Sequence, residues 1–315
     1  MERFQLGIDE NGLGARLGPL VVTAVAAHVV VSSARSSKSG GSSSGRDVPN
    51  HAHLLDDSKR LVSHKDVRLG EAWARALVGA GVSTPAELLE RIGLDKFSVA
   101  TKPCPAHVRS QCWDTSDERF TAPTRMIDEV TECIAALREH GTSLCLVRSA
   151  WVCTKLLNLE RLQERHRFIV DLHTMERLIL EVREHAGVPI HAICGKVGGI
   201  ADYPRFFGPL SGRLHTVVEQ TKPRSVYEFA QLGRVTFEQD ADAKDSLVMI
   251  ASLVGKYVRE LFMARIARRY ANGGNVKHPP SGYHDPVTNQ FVEATVGLRK
   301  SLRVAADCFE RRRST

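Results

Sequence analysis

Five stretches of the chain carry the hydrophobic pattern of β-strands. Residues 4–9 alternate between apolar and polar side chains and run into a glycine-rich turn. Residues 20–31 are rich in Val, Ala and Thr. Such a run is typical of a strand buried on both faces or of a buried helix, and its β-branched content favours the strand. Shorter runs predict further strands at 143–152, 189–196 and 235–239.

The most regular helical pattern lies between residues 245 and 270. Apolar residues recur there at the spacing of one helix face: Leu247, Ile250, Ala251, Val254, Val258 and Leu261. Lys256, Arg259 and Glu260 are then expected on or beside the opposite face. Further helices are predicted at 65–80, 84–92, 126–140, 156–185 with a break near Arg167, and 299–313. Because strands repeatedly precede helices, we predict an α/β fold with a mixed central sheet flanked by helices.

Composition narrows the choice of partners and setting. The 43 Lys and Arg residues against 36 Asp and Glu give a formal net charge of +7, which favours an anionic partner, nucleic acid first. Seven cysteines cannot all pair within one chain, so we expect a reducing, cytoplasmic setting. No apolar stretch is long enough to suggest a membrane partner. The terminal Arg311-Arg312-Arg313 could contact nucleic acid, although a frayed, solvated end is the commoner outcome.

The first candidate metal-binding residues are two adjacent acids at the end of the first predicted strand. Asp9 and Glu10 would be costly side by side in a core strand unless a cation compensates them. A hard divalent ion such as Mg²⁺ or Mn²⁺ prefers such oxygen ligands, and nucleases use pairs of these ions to activate water. The alternative is that the two acids simply end the strand in water. A third acid, Asp242, precedes the long helix, whose start we expect Asp245 to cap.

Four segments, taken in chain order, resemble the motifs of ribonuclease HII, the type 2 ribonuclease H. They are Leu6-Gly7-Ile8-Asp9-Glu10-Asn11-Gly12-Leu13-Gly14 with Leu17-Gly18-Pro19, then Asp57-Ser58-Lys59-Arg60-Leu61, then Asp242-Ala243-Lys244 through Ala251-Ser252 to Lys256 and Arg259-Glu260, and finally Ser281-Gly282-Tyr283. Each motif is modest alone, but four in the family's order are specific. The resemblance covers residues 4–61 and about 190–296.

The resemblance implies a ribonuclease H-like fold with a helical C-terminal part. It also implies endonucleolytic, two-metal-ion cleavage of the RNA strand of RNA/DNA hybrids, or cleavage 5′ of ribonucleotides embedded in duplex DNA. Carried over residue by residue, Asp9, Glu10 and Asp242 would be the catalytic metal ligands. The substrate-binding residues would be Gly12, Leu13, Gly14, Lys59, Lys256 and Tyr283. Within that set the glycines would sense the 2′-hydroxyl, Tyr283 would stack on a sugar, and the lysines would hold phosphates.

The chain departs from the family pattern at two positions. The family's remaining metal-ligand Asp, at the end of the strand before Asp242, is replaced by glycine, at Gly195 in the preferred alignment or at Gly198 in another. Asp202 or Asp240 could substitute. Leu13 also stands where the family commonly has Arg, and leucine cannot donate to a phosphate. A rival interpretation therefore stays open, namely a hybrid-binding protein of this fold whose catalysis is impaired.

The expected organisation is one catalytic domain with additions. We predict a ribonuclease H-like domain over residues 1–272 that carries a Ser- and Gly-rich flexible loop at 32–50 and an insertion at about 62–150. Residues 273–315 are predicted to form a C-terminal helical region that holds the Gly-Tyr element. The chain is expected to be a monomer.

Overall fold

The computed structural model describes residues 2–30, 52–55, 61–63, 66–197, 200–271 and 278–312. The predicted loop at 32–50, the candidate phosphate contact Lys59 and the alternative position Gly198 therefore lie outside the described residues. Within the described ranges, none of the helices combines the length and the apolar composition that crossing a bilayer would need.

A mixed β-sheet forms the centre of the described structure, which confirms the predicted fold class. Its strands are β1 (Glu2–Asn11), β2 (Leu20–Val30), β3 (Thr142–Val152), β4 (Ile190–Gly195), β5 (His215–Gln220), β6 (Arg224–Phe229) and β7 (Gly233–Glu238). They lie in the order β3-β2-β1-β4-β7-β6-β5. The central strand pairs β1–β4 and β4–β7 are parallel, and the other neighbours are antiparallel.

Sequence analysis missed strands β5 and β6. Strand β5 lies at the edge of the sheet, and most of its side chains are exposed. An edge strand of this kind carries little of the apolar alternation that marks a half-buried strand. Strand β6 lies inside the sheet and is mostly buried, but its six residues mix apolar side chains with Arg224, Ser225 and Glu228 and give no long apolar run.

Helices pack on both faces of this sheet. They are α1 (Arg68–Val78), α2 (Pro85–Ile92), α3 (Phe97–Ala100), α4 (Ser110–Trp113), α5 (Thr124–Glu139), α6 (Thr154–Leu162), α7 (Arg167–Ala186), α8 (Ser246–Ala271), α9 (Pro286–Ala294), α10 (Val296–Ser301) and α11 (Ala306–Phe309).

The predicted break near Arg167 is confirmed, because α6 ends before α7 begins there. The predicted basic helix at 299–313 is wrong. Arg303 has a φ of +54°, a left-handed conformation that a helix cannot contain, and two short helices result.

The long helix α8 lies directly on strand β1. A Cβ atom at Gly7 would lie only 2.4 Å from the carbonyl carbon of Leu247, so the glycine permits the helix to touch the strand. At Gly255 a Cβ would lie 2.4 Å from Nδ2 of Asn11. These close approaches bury α8 on nearly every side, so that even Arg259, which was predicted on or beside the face opposite the apolar one, is only 1% exposed.

Candidate active site

Asp9 and Glu10 end strand β1 and point to opposite faces of the sheet. Side chains alternate along a strand, and Ile8 packs in the cluster on the α7 face. Glu10 shares that face. Asp9 shares the α8 face with Asn11, whose amide donates to the Ser252 carbonyl of α8 at 3.4 Å. The two acids therefore meet two different helices.

The neighbouring parallel strand brings Gly195 beside Asp9. Ile8 pairs with Cys194 in the parallel register, so the next residues of β1 and β4 lie side by side at the carboxyl end of both strands. A Cβ built on Gly195 would lie 3.1 Å from Oδ1 of Asp9. Of the two glycines considered for the missing carboxylate, Gly195 is thus a direct neighbour of Asp9, and it brings no ligand of its own.

Asp242 reaches the same neighbourhood from the junction between β7 and α8. It lies in a single 3₁₀ turn, Ala241–Ala243, which follows Asp240 in a left-handed conformation. The predicted cap is confirmed, since Asp245 Oδ1 accepts the N–H groups of Leu247 at 2.9 Å and Val248 at 3.1 Å. The charge of Asp242 helps to raise the pKa of both Asp9 and Glu10. Asp242 therefore interacts electrostatically with two adjacent acids that precede it by more than 230 positions in the sequence.

The environment of Asp9 favours its protonated form. Burial is the largest cause, and the charge of Asp242 adds to it, so that the pKa rises from 3.8 to about 7. A hydrogen bond from the Ser252 side chain and the charge of Lys256 oppose this rise. Ser252 and Lys256 are one helical turn apart on α8. The candidate phosphate contact Lys256 accordingly lies within electrostatic reach of the acids.

Stability should depend on pH through Asp9. Below pH 3.8 the carboxyl is protonated in both states, and between pH 3.8 and about 7 the unfolded chain ionises first. Stability is therefore lost as the pH rises through this window, and a divalent cation should restore it. We expect the melting temperature in EDTA to fall more between pH 5 and pH 8 for the unmodified chain than for Asp9→Asn.

The comparison with Asp9→Asn is needed because another group opposes the trend. Burial lowers the pKa of His191 to about 4, so His191 stabilises the fold as the pH rises from 4 towards its ordinary value. Equal pH dependence in the two proteins would contradict the expected role of Asp9.

Sequence reasoning missed a fourth acid, Asp171 of helix α7. Its side chain is 0% exposed, and within the described part of the chain neither carboxylate oxygen has a hydrogen-bond partner. After burial, the charge of Asp171 is the largest cause that raises the pKa of Glu10, and Asp9 in turn raises the pKa of Asp171. The signal in the sequence was an Asp between Val170 and Leu172, inside the apolar face of a helix.

Carboxylate oxygens at this position suit a hard divalent cation such as Mg²⁺ or Mn²⁺. The acids repel one another, and two buried oxygens lack any partner, so added positive charge would stabilise the group. Among the described side chains, however, no three His, Cys, Asp or Glu residues already surround a common point that could hold an ion. The acids thus suit a divalent cation by their donor atoms and charge, but the described side chains do not already surround a common binding point.

Two buried arginines, Arg259 and Arg311, contact the glycine-rich loop that follows β1. Gly12 has a φ of +90°, and a Cβ there would lie 2.6 Å from Nε of Arg259. Arg311 donates to the carbonyl oxygens of Gly12 at 2.6 Å and Gly18 at 2.9 Å. Arg311 is only 3% exposed, so the frayed end expected at 311–313 is wrong for this residue; Arg313 lies outside the described ranges.

The same loop leaves backbone donors available at its tip. A Cβ on Gly14 would meet nothing within 4 Å, and Leu13 packs its side chain against the cluster on the α7 face. Arg167 donates to the Ala15 carbonyl at 3.2 Å. Among the described residues, the N–H groups of Leu13 and Gly14 donate to no backbone carbonyl. With its carbonyls turned towards arginines, the loop can present N–H groups to a ligand.

The Gly-Tyr element docks onto this loop. The Gly282 carbonyl accepts the N–H groups of Arg16 at 2.8 Å and Leu17 at 2.9 Å. The Arg259 guanidinium lies 4.4 Å from the centre of the Tyr283 ring. The partly exposed Tyr283 is therefore held beside the glycine loop, although the two segments are far apart in the sequence.

Both acids suggested as substitutes for the missing carboxylate are more exposed than Asp9. The Asp202 side chain is 49% exposed and pairs with Arg205 at 3.6 Å. Asp240 is exposed in the turn before Asp242. All seven cysteines are free thiols.

Comparison with known proteins finds likeness at the level of solved structures. No protein-family pattern and no curated protein matches the sequence. A structure of the PCNA:ribonuclease HII complex from Archaeoglobus fulgidus is similar to this chain with 18% identity and a TM-score of 0.45, over 99% of this chain and 98% of that one. A mutant of Bst ribonuclease HIII gives 13% identity and a TM-score of 0.48, over 97% of this chain and 65% of that one.

A structure of Bst ribonuclease HIII with Mn²⁺ gives 11% identity and a TM-score of 0.44, over 98% of this chain and 66% of that one. The chain thus spans nearly the full length of the archaeal protein and about two thirds of each Bst protein. At such identities and TM-scores the likeness concerns the overall arrangement of the chain, and the function has to be inferred from the residues of the site.

Proposed function

We propose that the protein is a divalent-metal-dependent endonuclease of the ribonuclease HII kind, which cleaves the RNA strand of hybrids or the 5′ side of a ribonucleotide embedded in duplex DNA. The observation that carries the proposal is the electrostatic coupling of Asp9, Glu10 and Asp242 at the end of β1, next to a glycine loop that carries Tyr283 on its flank. Acids alone would suit many hydrolases. Their position beside backbone N–H donors is what favours a ribose-containing substrate.

In the proposed mechanism Asp9, Glu10 and Asp242 hold Mg²⁺ or Mn²⁺. The ions, when bound, supply an activated water and stabilise the leaving oxygen. Residues of the chain orient the substrate around that centre. The Gly12–Gly14 backbone meets the 2′-hydroxyl, which distinguishes RNA from DNA, because no side chain hinders close approach at Gly14.

Two further residues would position the nucleic acid. The exposed part of the Tyr283 ring offers a surface for a sugar, and Arg259 restrains the ring from its other side. Lys256 lies close enough to the acids to balance their charge and to hold the phosphate that is cut. The roles of Leu13 and Lys59, the cytoplasmic setting and the monomeric state remain predictions.

Cleavage of a DNA duplex that contains one ribonucleotide tests the proposal directly. We expect product in Mg²⁺ or Mn²⁺, cut on the 5′ side of the ribonucleotide, and no product in EDTA. An all-DNA duplex of the same sequence is the matched control and should stay intact. Equal cutting of both duplexes, or cutting that persists in EDTA, would contradict the proposal.

The rival function is supported by one specific observation. A Cβ at Gly195 would lie 3.1 Å from Oδ1 of Asp9, yet glycine contributes no side-chain ligand there. A protein that binds RNA/DNA hybrids but cuts poorly would result if nothing replaces that ligand. Hybrid binding in a fluorescence anisotropy titration, with no product in Mg²⁺ or Mn²⁺, would favour this second function over the first.

A further inference from the structure

Helix α7 turns one face towards the carboxyl end of β1. Arg167 and Asp171 are four residues apart and therefore lie on the same side of the helix. Arg167 donates to the carbonyl oxygen of Ala15 in the glycine loop, which orients this side of α7. Val170 and Leu172 pack in the same cluster as Ile8 of β1 and Cys194 of β4, so the buried side chain between them lies near the ends of these two strands.

Asp171 is a costly residue for a helix interior. Its side chain is fully buried, and neither oxygen has a hydrogen-bond partner among the described residues. Its neighbours Val170 and Leu172 belong to the apolar cluster of this face, so an apolar residue would suit packing better. A buried carboxylate without a partner is unfavourable relative to such a residue unless protonation or a cation compensates its charge. A bound cation is the natural compensation.

The missing carboxylate and the unpartnered one flank the same strand ends. Gly195 lies beside Asp9 on the α8 face, and Asp171 approaches Glu10 on the α7 face. We propose that Asp171 supplies the fourth carboxylate of the metal site, from helix α7 in place of strand β4. This inference rests on the proposed function, because it assumes that Asp9, Glu10 and Asp242 bind a divalent cation.

Binding of Mn²⁺ to the full chain without nucleic acid tests the inference. Isothermal titration and the loss of the free Mn²⁺ electron paramagnetic resonance signal both report the affinity independently of cleavage. We expect Asp171→Asn to weaken Mn²⁺ binding by about tenfold or more, since even residues that only orient metal ligands cost that much. The variant should be at least as stable as the unmodified chain in EDTA, because a buried repulsive charge is removed.

A matched control lies five residues further along the same helix. Glu176 is also a fully buried carboxylate, but its Oε2 accepts the N–H groups of Gly208 at 3.0 Å and Leu210 at 2.8 Å. Its role is to anchor that loop. Glu176→Gln should leave the Mn²⁺ affinity unchanged, and an equal loss in both variants would overturn the assignment of Asp171.

The variant Gly195→Asp provides a second, independent test of the inference. In the Asp171→Asn background it should restore Mn²⁺ affinity, because the new side chain would start 3.1 Å from Asp9 Oδ1, at the flexible end of that side chain. Alone, it should add little, since the fourth ligand is already present. A large gain from Gly195→Asp alone would overturn the inference, and this comparison does not require the Asp171 variant to fold.

The outcomes separate the two proposals. Equal Mn²⁺ affinity in Asp171→Asn and the unmodified chain, with binding lost in Asp9→Asn, would overturn the role of Asp171 and leave the proposed function standing. An unmodified chain that binds no Mn²⁺ would overturn both.

Discussion

Replacing Asp9 by Asn should reduce cleavage of a ribonucleotide-containing duplex by about a thousandfold or more. A metal-held reaction centre contributes several kcal/mol to transition-state stabilisation, and each 1.36 kcal/mol corresponds to a factor of about ten in rate. Asn keeps the size of Asp9 and removes its charge. In the absence of metal the same variant should melt at a higher temperature at pH 8, because burial and the charge of Asp242 disfavour the ionised carboxylate.

This combination of lost activity and gained stability is specific to a functional carboxylate. Single-turnover cleavage and thermal unfolding in EDTA measure the two effects on the same preparation. Asp202→Asn is the matched control, since Asp202 is half exposed and pairs with Arg205 away from the acids. It should leave both quantities unchanged. A stabilised Asp9→Asn that still cuts at the original rate would rule out Asp9 as a metal ligand.

Replacing Gly7 by Val should destabilise the protein by about 3 kcal/mol, at the upper end of the cost of overpacking a core. A Cβ at this position would lie 2.4 Å from both the Leu247 carbonyl carbon and the Val248 nitrogen. Both are backbone atoms of α8, so no rotamer change can relieve the contact. The helix must move away from β1, and Asp242 at its start would then separate from Asp9.

Denaturant unfolding and Mn²⁺ affinity should therefore fall together in Gly7→Val. Gly14→Ala is the control for stability, because a Cβ there meets nothing within 4 Å. It should unfold at the same denaturant concentration as the unmodified chain. Unchanged stability in Gly7→Val would mean that the helix and strand are not in the close contact described here.

Whether the protein is an active or an impaired enzyme depends on helix α7, because this helix carries Asp171. The strand ends alone suggest that one metal ligand is missing, because Gly195 provides no side-chain oxygen. The fold adds Asp171 from another element, which raises the number of acids in electrostatic contact to four: Asp9, Glu10, Asp171 and Asp242. If Asp171 binds metal, the substitution at 195 changes which element holds the ion and leaves the chemistry of the site intact.

Local pattern was sufficient for the main elements of the fold. Strands β1 and β2 and helix α8 could be predicted because burial imposes a period of two or 3.6 residues on their apolar positions. The two acids that end β1 and the acid before α8 were identifiable in the same way, since each follows a predicted strand. Strand β5 escaped because exposure at the edge of the sheet removes the constraint that creates the pattern, whereas β6 is mostly buried between β7 and β5 but is a short run of mixed apolar, polar and charged residues.

Tertiary structure alone decided which distant residues support the site. Asp171 and Arg311 lie about 160 and 300 positions from the β1 motif, and neither belongs to a pattern that links it to the acids. Arg259 was predicted on or beside the polar side of α8, yet the glycines at 7 and 12 let this helix approach so closely that Arg259 is buried. Periodicity reports the neighbours a residue has along its own element, whereas electrostatic and packing partners depend on how separate elements close together in space.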